Sequence, residues 1–391
     1  MNENQAAANE IATIGRIIIE IIKNDLAGND YTLPADVDFK KLYTLADVHR
    51  VVPLVADAVL KCPHAPDEVK KRFKAELFKV SVRYEGQLKE KAELSALFSE
   101  VGVKHCFLKG DKLSRFYNTP ERRFMLDMDI YVDEGGFKKA EDILLGRGYE
   151  LNSFGDDKDV GYIKKPFYNI ELHRELKYDY DKGYDYYKGA FSRLQSVEGT
   201  CELNMTNEDF YVYILSHTAH HFETAGTGIR NVLDHYYLKT KLKPFCNEAV
   251  LEAGLEAVGL TTFAQRLDAL ADAWFGNGEY NHDIEETSDY ILLGGVFGNK
   301  VNHYMGGILR GDYSDKKTSF ILKRLFPPRA KIQDRYPILK KLPLLLPIIW
   351  VIRIISAVFS KKDYSAEIDN ADSVTQAQKE DFARFMQKNG L

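Results

Sequence analysis

Cysteine is scarce in this 391-residue chain and follows no pattern typical of disulfide bonds or of zinc binding. The four cysteines lie far apart, and no two of them form a C-x-x-C pair. This spacing excludes a disulfide framework and a zinc knuckle, and it predicts reduced thiols in a cytoplasmic protein. The N-terminal residues also lack the basic region and apolar stretch of a signal peptide, so we do not expect export.

The chain has no excess of positive charge, since 53 Lys+Arg against 58 Asp+Glu give a formal net charge of −5. A slightly acidic protein is not built to neutralise a phosphate backbone, so we expect no nucleic acid as its partner. Basic residues are nevertheless concentrated in residues 316–362, which contain 12 Lys+Arg and one acid. This segment leaves a local contact with anionic lipid, nucleotide or glycan open.

No apolar run is long enough for a typical membrane span. The longest, LPLLLPIIWVIRIISAVF at residues 342–359, has 18 residues and contains Pro343, Pro347 and Arg353, whereas a span needs about 20 apolar residues. We therefore expect no transmembrane helix. Lysines on both sides leave two interpretations: a helix packed on the protein, which we favour, and a helix on the surface of an anionic membrane.

The rest of the pattern is mostly helical, with one short region of β-rich runs. The fold class expected is α+β, mostly helical. The predicted parts are an N-terminal helical region at 1–100, a small α/β core at 101–180, a C-terminal helical domain at 181–310, a basic and apolar segment at 311–362 and a mobile tail at 363–391.

Acids alternate with apolar residues in two strand-like runs of the α/β core. In LDMDIYV the period of 2 places Asp127 and Asp129 on one face of a strand, where the two charges repel unless a cation lies between them. Mg²⁺, which prefers oxygen ligands, suits this arrangement. In YNIELH the same period places Glu171 and His173 on one face, so adjacent strands would bring three carboxylates together. The simpler alternative is the solvated side of an edge strand.

A glycine follows the first strand of the core, in Leu108-Lys109-Gly110-Asp111. Glycine lets the backbone approach a phosphate closely, and the helix that starts there presents free N–H groups. Lys109 and Arg123 are candidates for contacts to phosphate oxygens. Ordinary solvated side chains are the alternative for both residues.

These segments resemble the bacterial uncharacterised nucleotidyltransferase family of the DNA polymerase β-like superfamily. The resemblance is carried by Leu108-Lys109-Gly110, by Arg123 four residues before DMDIYV, and by IELH. Two helical segments, LADVHRVV from Leu45 and IRNVLD from Ile229, are similar too. The resemblance implies a mixed sheet carrying the acidic triad, and transfer of a nucleotidyl group from an NTP with Mg²⁺ or Mn²⁺. Gly110-Asp111 stands where the superfamily usually has Gly-Ser, so the contact of that serine to the terminal phosphates has no counterpart here.

Three histidines in SHTAHHF, namely His217, His220 and His221, have helical spacing. Neither a cysteine nor a close acid completes a zinc ligand set, so we favour a structural or substrate-lining role over a metal site. Asp234 is either a second substrate-lining group or the partner of Arg230 in a helix-surface salt bridge. His49 is expected to pack between helices.

The motifs and this resemblance together predict a metal-dependent nucleotidyltransferase that uses an NTP, with ATP as the first choice, and an unidentified hydroxyl acceptor. A place in polysaccharide or envelope biosynthesis is what the resemblance to the family implies. Asp127, Asp129 and Glu171 would be the catalytic and metal-binding residues, with Glu171 also the general base. The predicted nucleotide contacts are Lys109, Gly110, Asp111 and Arg123, and the predicted substrate-lining residues are His173, His217, His221 and Asp234. The alternative is a catalytically degenerate scaffold or membrane-surface partner in envelope assembly.

Overall fold

Four helices form the N-terminal part of the computed structural model, which describes residues 3–154, 159–176, 183–224, 226–295, 300–309, 326–329, 332, 336, 338–359 and 375–391. They begin at sites that their sequences specify. Before the second helix the Asp38 carboxylate accepts hydrogen bonds from two backbone N–H groups, and Pro53 stands in the first turn of the third. The bounds are Glu3–Leu26 (α1), Phe39–Val48 (α2), Val52–Lys61 (α3) and Asp67–Glu100 (α4).

A mixed five-stranded sheet follows, in the order β1-β2-β5-β4-β3. Its strands are His105–Phe107 (β1), Met128–Val132 (β2), Glu150–Phe154 (β3), Asp159–Lys164 (β4) and Tyr168–His173 (β5). Only β2 and β5 pair in parallel, and the other neighbours are antiparallel. Helices Gly110–Ser114 (α5) and Glu134–Gly146 (α6) lie between the strands. The predicted class, mostly helical α+β with a small mixed sheet, is confirmed.

The chain then returns to helices. A two-stranded ribbon of Gln195–Ser196 (β6) and Leu203–Asn204 (β7) precedes most of them. The helical bounds are Tyr184–Tyr187 (α7), Asn207–Thr224 (α8), Ile229–Tyr237 (α9), Glu248–Ala257 (α10), Thr261–Phe275 (α11), His282–Gly294 (α12) and Lys300–Leu309 (α13).

Two hydrophobic clusters hold the described body together. The larger joins helices from both ends of the chain, so the N- and C-terminal helical regions share one core. The smaller lies under one face of the sheet, where Ile130 and Leu172 pack against Leu94 and Phe98 of α4 and against α6. Helix α4 contributes to both clusters, since its Phe73 belongs to the larger one. The sheet therefore has one apolar face and one face free to carry polar side chains.

Three further helices are described near the C-terminus: Ile338–Lys341 (α14), Leu346–Phe359 (α15) and Gln376–Lys388 (α16). Residues 363–391 are predicted to form a mobile tail, but α16 within them is packed, because Phe382, Phe385 and Met386 are buried in the larger cluster. None of the described helices is long and apolar enough to cross a membrane. Residues 310–325 and 360–374, which hold parts of the predicted basic segment and tail, lie outside the described residues.

Candidate active site

The parallel pairing of β2 with β5 places Asp129 directly opposite Glu171. His173 follows two residues later on the same face, while Ile170 and Leu172 are buried in the cluster under the other face. One ligand atom each from Asp129, Glu171 and His173 lies within 4.8 Å of the others, and His173 Nε2 is 3.2 Å from Asp129 Oδ1. The polar side chains that alternate with apolar residues in the sequence thus form a compact group on the polar face of the sheet.

Asp127 completes what we call the acidic centre: Asp127, Asp129, Glu171 and His173. Burial and the charge of Asp129 raise the pKa of Asp127. Burial, Asp129 and Asp127 raise the pKa of Glu171 to about 8. Both shifts have one physical origin, because several carboxylates removed from water repel each other. The acidic centre therefore favours either a proton or a cation.

Lys109 supplies one positive charge to this centre, with Nζ 3.0 Å from Asp129 Oδ1. Burial alone would lower the pKa of Lys109, but the charges of Asp129, Asp127 and Glu171 raise it. Burial would likewise raise the pKa of Asp129, but Lys109 and His173 hold it far below its usual value. One lysine does not balance three carboxylates. The donor set, carboxylate oxygens with one imidazole nitrogen, therefore fits a divalent cation.

Two cavities meet at the acidic centre. The first, of about 360 Å³, is lined by Lys109 to Lys112, Lys91, Arg115, Asp127 and Asp129. The second, of about 430 Å³, lies between the sheet and helices α8 and α9, and its wall includes Asp127, Glu171, His217, His221 and Arg230. Lys109, Gly110 and Asp127 line both. Two substrates, one in each cavity, can therefore meet and react at these carboxylates.

Comparison with known protein families shows a match between residues 35–276 and a family described as uncharacterised nucleotidyltransferases. The match covers more than half of the chain, including both acidic strands and the helical segments beginning at Leu45 and Ile229. The chain belongs to this nucleotidyltransferase family. The resemblance inferred from the motifs is thereby confirmed for the family itself. No curated protein and no solved structure matches the chain.

Arg123 is buried and forms an ion pair with Asp234. Its Nε and Nη2 lie 2.7 and 2.9 Å from the two carboxylate oxygens of Asp234, and Tyr117 donates a further hydrogen bond of 2.8 Å to Asp234. The side chains of Arg123 and Asp234 are each 6% exposed. Arg123 Nη1 also lies 3.4 Å from the carbonyl oxygen of Gly110. The expected salt bridge with Arg230 is wrong, because the ion-pair partner of Asp234 is Arg123. Asp234 also lines the second cavity, and its substrate-lining role stays a prediction.

The loop around Gly110 is shaped by packing as well as by charge. A Cβ atom at Gly110 would lie 2.7 Å from Met125 Sδ, so a larger residue would require Met125 to move. The neighbouring Asp111 carboxylate is 2.5 Å from Lys91 Nζ and 2.9 Å from Arg115 Nη2. Burial would raise the pKa of Asp111, but these two cations lower it. Asp111 thus neutralises basic side chains on the wall of the first cavity.

His217 and His221, which are predicted to line the substrate, lie close together on the wall of the second cavity. His217 Nε2 is 3.1 Å from His221 Nε2 and 3.4 Å from Lys109 Nζ. Burial, and then the charge of Lys109, lower the pKa of His221 to about 3, which keeps the ring neutral. Within the described ranges, Asp129, Glu171 and His173 form the one group of three or more potential metal ligands, and these histidines are not part of it.

Sequence reasoning missed three residues near the acidic centre. Asp159 begins β4, lies 4.0 Å from His173 Nδ1 and contributes to the raised pKa of Glu171. Lys91 reaches the first cavity from α4, and Arg230 lines the second. The alternation in Asp159-Val160-Gly161-Tyr162 is too weak to have identified the strand that carries Asp159. The two basic residues lie on helices whose packing on the sheet has no local signature in the sequence.

Proposed function

We propose that the protein transfers a nucleotidyl group from an NTP to a hydroxyl group, by chemistry like that of the DNA polymerase β-like superfamily. One observation carries the proposal: Asp129 and Glu171 lie side by side on parallel strands, next to Asp127, where two cavities meet. Carboxylates held together at a junction of two binding spaces are suited to a reaction between a phosphate ester and a second substrate.

Asp127, Asp129 and Glu171 would hold Mg²⁺ or Mn²⁺, with His173 beside them. A bound divalent ion offsets negative charge on the phosphate that is transferred and helps to ionise the attacking hydroxyl. His173 has a second role in the protein alone, since its Nε2 lies close to Asp129 Oδ1 and so orients that carboxylate. A nitrogen ligand in the group makes Mn²⁺ a reasonable alternative to Mg²⁺.

The NTP, with ATP as the first choice, would occupy the first cavity, where Lys109, Lys91 and Lys112 face its phosphates. The acceptor would enter the second cavity, beside His217 and His221. Its hydroxyl oxygen forms a bond to the α-phosphorus, the bond from that phosphorus to the bridging oxygen breaks, and pyrophosphate leaves. Glu171, which lines the second cavity, would take the proton of the hydroxyl.

The other residues predicted to bind nucleotide would act by positioning. Arg123 is occupied by Asp234 and lies near the Gly110 carbonyl, so it would fix the Gly110 loop and not bind phosphate itself. Asp111 would hold Lys91 and Arg115 in place, since a carboxylate repels phosphate. Asp234, predicted to line the substrate, would be the anchor for this loop.

The proposal is tested by incubating purified protein with Mg²⁺ or Mn²⁺, α-labelled NTPs and candidate hydroxyl acceptors, including glycans of envelope polysaccharides. Label should enter an acceptor with the wild-type protein and not with an Asp127→Asn/Asp129→Asn double variant. Asp142→Asn is the matched control, because Asp142 is exposed on α6. Equal incorporation by wild type and double variant would contradict the proposal. Folded protein that binds no NTP would favour the alternative, a degenerate scaffold.

We also propose that the protein is cytoplasmic and touches the inner face of an anionic membrane through residues 316–362. Helix α15 packs Ile349 into a small local cluster with Ile332 and Leu339. Its other face leaves Ile348, Val351 and Ile352 between 44% and 56% exposed, at the i, i+3, i+4 spacing of one helical stripe. An exposed apolar stripe within a basic segment fits the headgroup region of an anionic membrane.

Vesicle flotation tests this contact. The full chain should bind vesicles that contain phosphatidylglycerol, bind phosphatidylcholine vesicles less, and dissociate as salt is raised. An Ile348→Ser/Val351→Ser variant should lose the binding, whereas Phe245→Ser should keep it, because Phe245 is 76% exposed outside this segment. Equal binding by the two variants, or salt-insensitive binding, would contradict the proposal.

A further inference from the structure

Three guanidinium groups surround one aromatic residue beside the acidic centre. The Cζ atoms of Arg50 and Arg83 lie 5.3 and 5.1 Å from the centre of the Phe124 ring. Arg230 donates a hydrogen bond of 3.0 Å from Nη1 to the backbone carbonyl of Phe124. We call Arg50, Arg83 and Arg230 the arginine cluster. Its members come from the turn after α2, from α4 and from α9, so the fold brings together charges that are distant in sequence.

Two members of the arginine cluster have no direct ion-pair partner among the described residues. Arg50 forms an ion pair of 2.8 Å with Asp47, whose side chain is 54% exposed. Among the described residues neither Arg83 nor Arg230 has a carboxylate within ion-pair distance, and the buried Nε of Arg230 has no hydrogen-bond partner. Burial, and then the charge of Arg123, lower the pKa of Arg230 although Asp234 and Asp127 oppose this shift, while burial and Arg50 lower the pKa of Arg83. An anion in the second cavity would give the Nε of Arg230 the direct partner that it lacks.

The end of helix α2 fixes the backbone of Arg50. Arg50 has φ +56°, and among the described residues it is the one non-glycine residue with positive φ. Arg50 follows the C-cap residue of α2 in a left-handed helix end, where its N–H donates to the Asp47 carbonyl and the Val51 N–H donates to the Ala46 carbonyl. His49, immediately before it, is fixed by contacts to the backbone of Ile229 and Leu292. Arg50 is therefore held in position at the wall of the second cavity.

We infer that the hydroxyl acceptor carries an anionic group, a phosphate or a carboxylate, and that Arg230 and Arg50 bind this group in the second cavity. The inference rests on the proposed function, which assigns that cavity to the acceptor. Two guanidinium groups match the planar, multiple hydrogen-bonding geometry of these anions. Neighbouring His221 stays neutral and Arg123 is committed to Asp234, so neither competes for the role.

Calorimetry with named probes tests the inference on the full chain saturated with Mg²⁺ and a non-hydrolysable ATP analogue, so that nucleotide sites are already filled. Glucose 6-phosphate or glucuronate should bind, and glucose should not. Arg230→Gln should weaken the binding of these probes at least about tenfold. Arg230→Lys and Arg50→Gln should weaken it by a smaller factor. Arg16→Gln is the matched control and should bind these probes like wild type, because Arg16 is exposed on α1 and lines neither cavity.

The outcomes separate the two proposals. If the ATP analogue fails to bind wild-type protein while glucose 6-phosphate binding still depends on Arg230, the nucleotide proposal fails and the anion subsite stands. If the Arg230 variants lose affinity for the ATP analogue instead, the arginine cluster serves the triphosphate and the inference is overturned. Absence of probe binding by wild type, or equal binding by wild type, Arg230→Lys and Arg50→Gln, overturns it as well.

Discussion

Arg123 and Asp234 lie 111 positions apart in the sequence and form a two-point ion pair, with Nε 2.7 Å from Oδ1 and Nη2 2.9 Å from Oδ2. The pair ties the segment before β2 to α9, and through the Gly110 carbonyl it reaches the start of α5. Breaking one side of a buried ion pair leaves an uncompensated charge. This pair therefore connects the sheet that carries the acidic centre to the helices that close the second cavity.

Asp234→Asn should lower the free energy of unfolding by about 3–5 kcal/mol, because Arg123 would stay buried without its counter-charge. Tyr117→Phe is the control, since it removes one hydrogen bond to Asp234 and should cost about 1 kcal/mol. Urea denaturation of the three proteins at pH 7.5 measures both values. A loss below 1 kcal/mol in Asp234→Asn would show that the pair does not hold these elements together.

Binding of Mn²⁺ should release a proton from Glu171, whose pKa near 8 in the metal-free protein keeps it largely protonated at neutral pH. Affinity for the ion should rise by up to about tenfold per pH unit below pH 8 and level off above it. The same shift makes the metal-free fold lose stability as pH rises from about 4.5, the value for an unfolded glutamate, to about 8.

Calorimetry in buffers of different ionisation enthalpy counts the protons released on Mn²⁺ binding. Glu171→Gln is the control, because it has no proton to lose in this range. If the wild-type protein and Glu171→Gln release equal numbers of protons at pH 7, Glu171 is not the group that titrates.

His49 should make the protein sensitive to mild acid. Its Nδ1 accepts a hydrogen bond from the Ile229 N–H, and its Nε2 lies 3.2 Å from the Leu292 carbonyl, to which it donates. Burial lowers its pKa from 6.5 to about 4. The unfolded chain therefore takes up a proton first, so stability should fall as pH drops from about 6.5 to 4, by up to about 3 kcal/mol.

Denaturation midpoints between pH 7.5 and 4.5 measure this effect. His49→Gln keeps a donor and an acceptor but cannot titrate, so its stability should vary less over that range than that of wild type. Parallel pH profiles for the two proteins would remove His49 as the source. The buried position itself agrees with the helix-packing role expected from the sequence.

Local periodicity was sufficient to find the acidic strands. The alternation in β2 and β5 is a property of consecutive residues, and it identified Asp129, Glu171 and His173 before their pairing was known. Strands β3 and β4 were missed, because polar and apolar residues alternate only weakly in their sequences, ELNSF and DVGYIK. Asp159 was missed with them.

Contacts between distant segments were beyond the reach of sequence patterns. An arginine four residues before the acidic strand suggested a phosphate ligand, yet its partner is an aspartate on α9, which only the packing of that helix brings near. The same holds for Lys91 beside Asp111 and for the three members of the arginine cluster. Helix α16 is buried through three apolar residues in a short polar stretch. The same pattern is also typical of an unpacked helix, so the sequence did not predict the burial.

The central claim is that the acidic centre catalyses nucleotidyl transfer, and comparison of two labelled forms of ATP tests it most directly. With Mg²⁺ and a competent acceptor, α-labelled ATP should leave its label on the acceptor, while γ-labelled ATP should release its label as pyrophosphate. Asp129→Asn should abolish both signals. Transfer of the γ-label to the acceptor, or full activity in Asp129→Asn, would contradict the account.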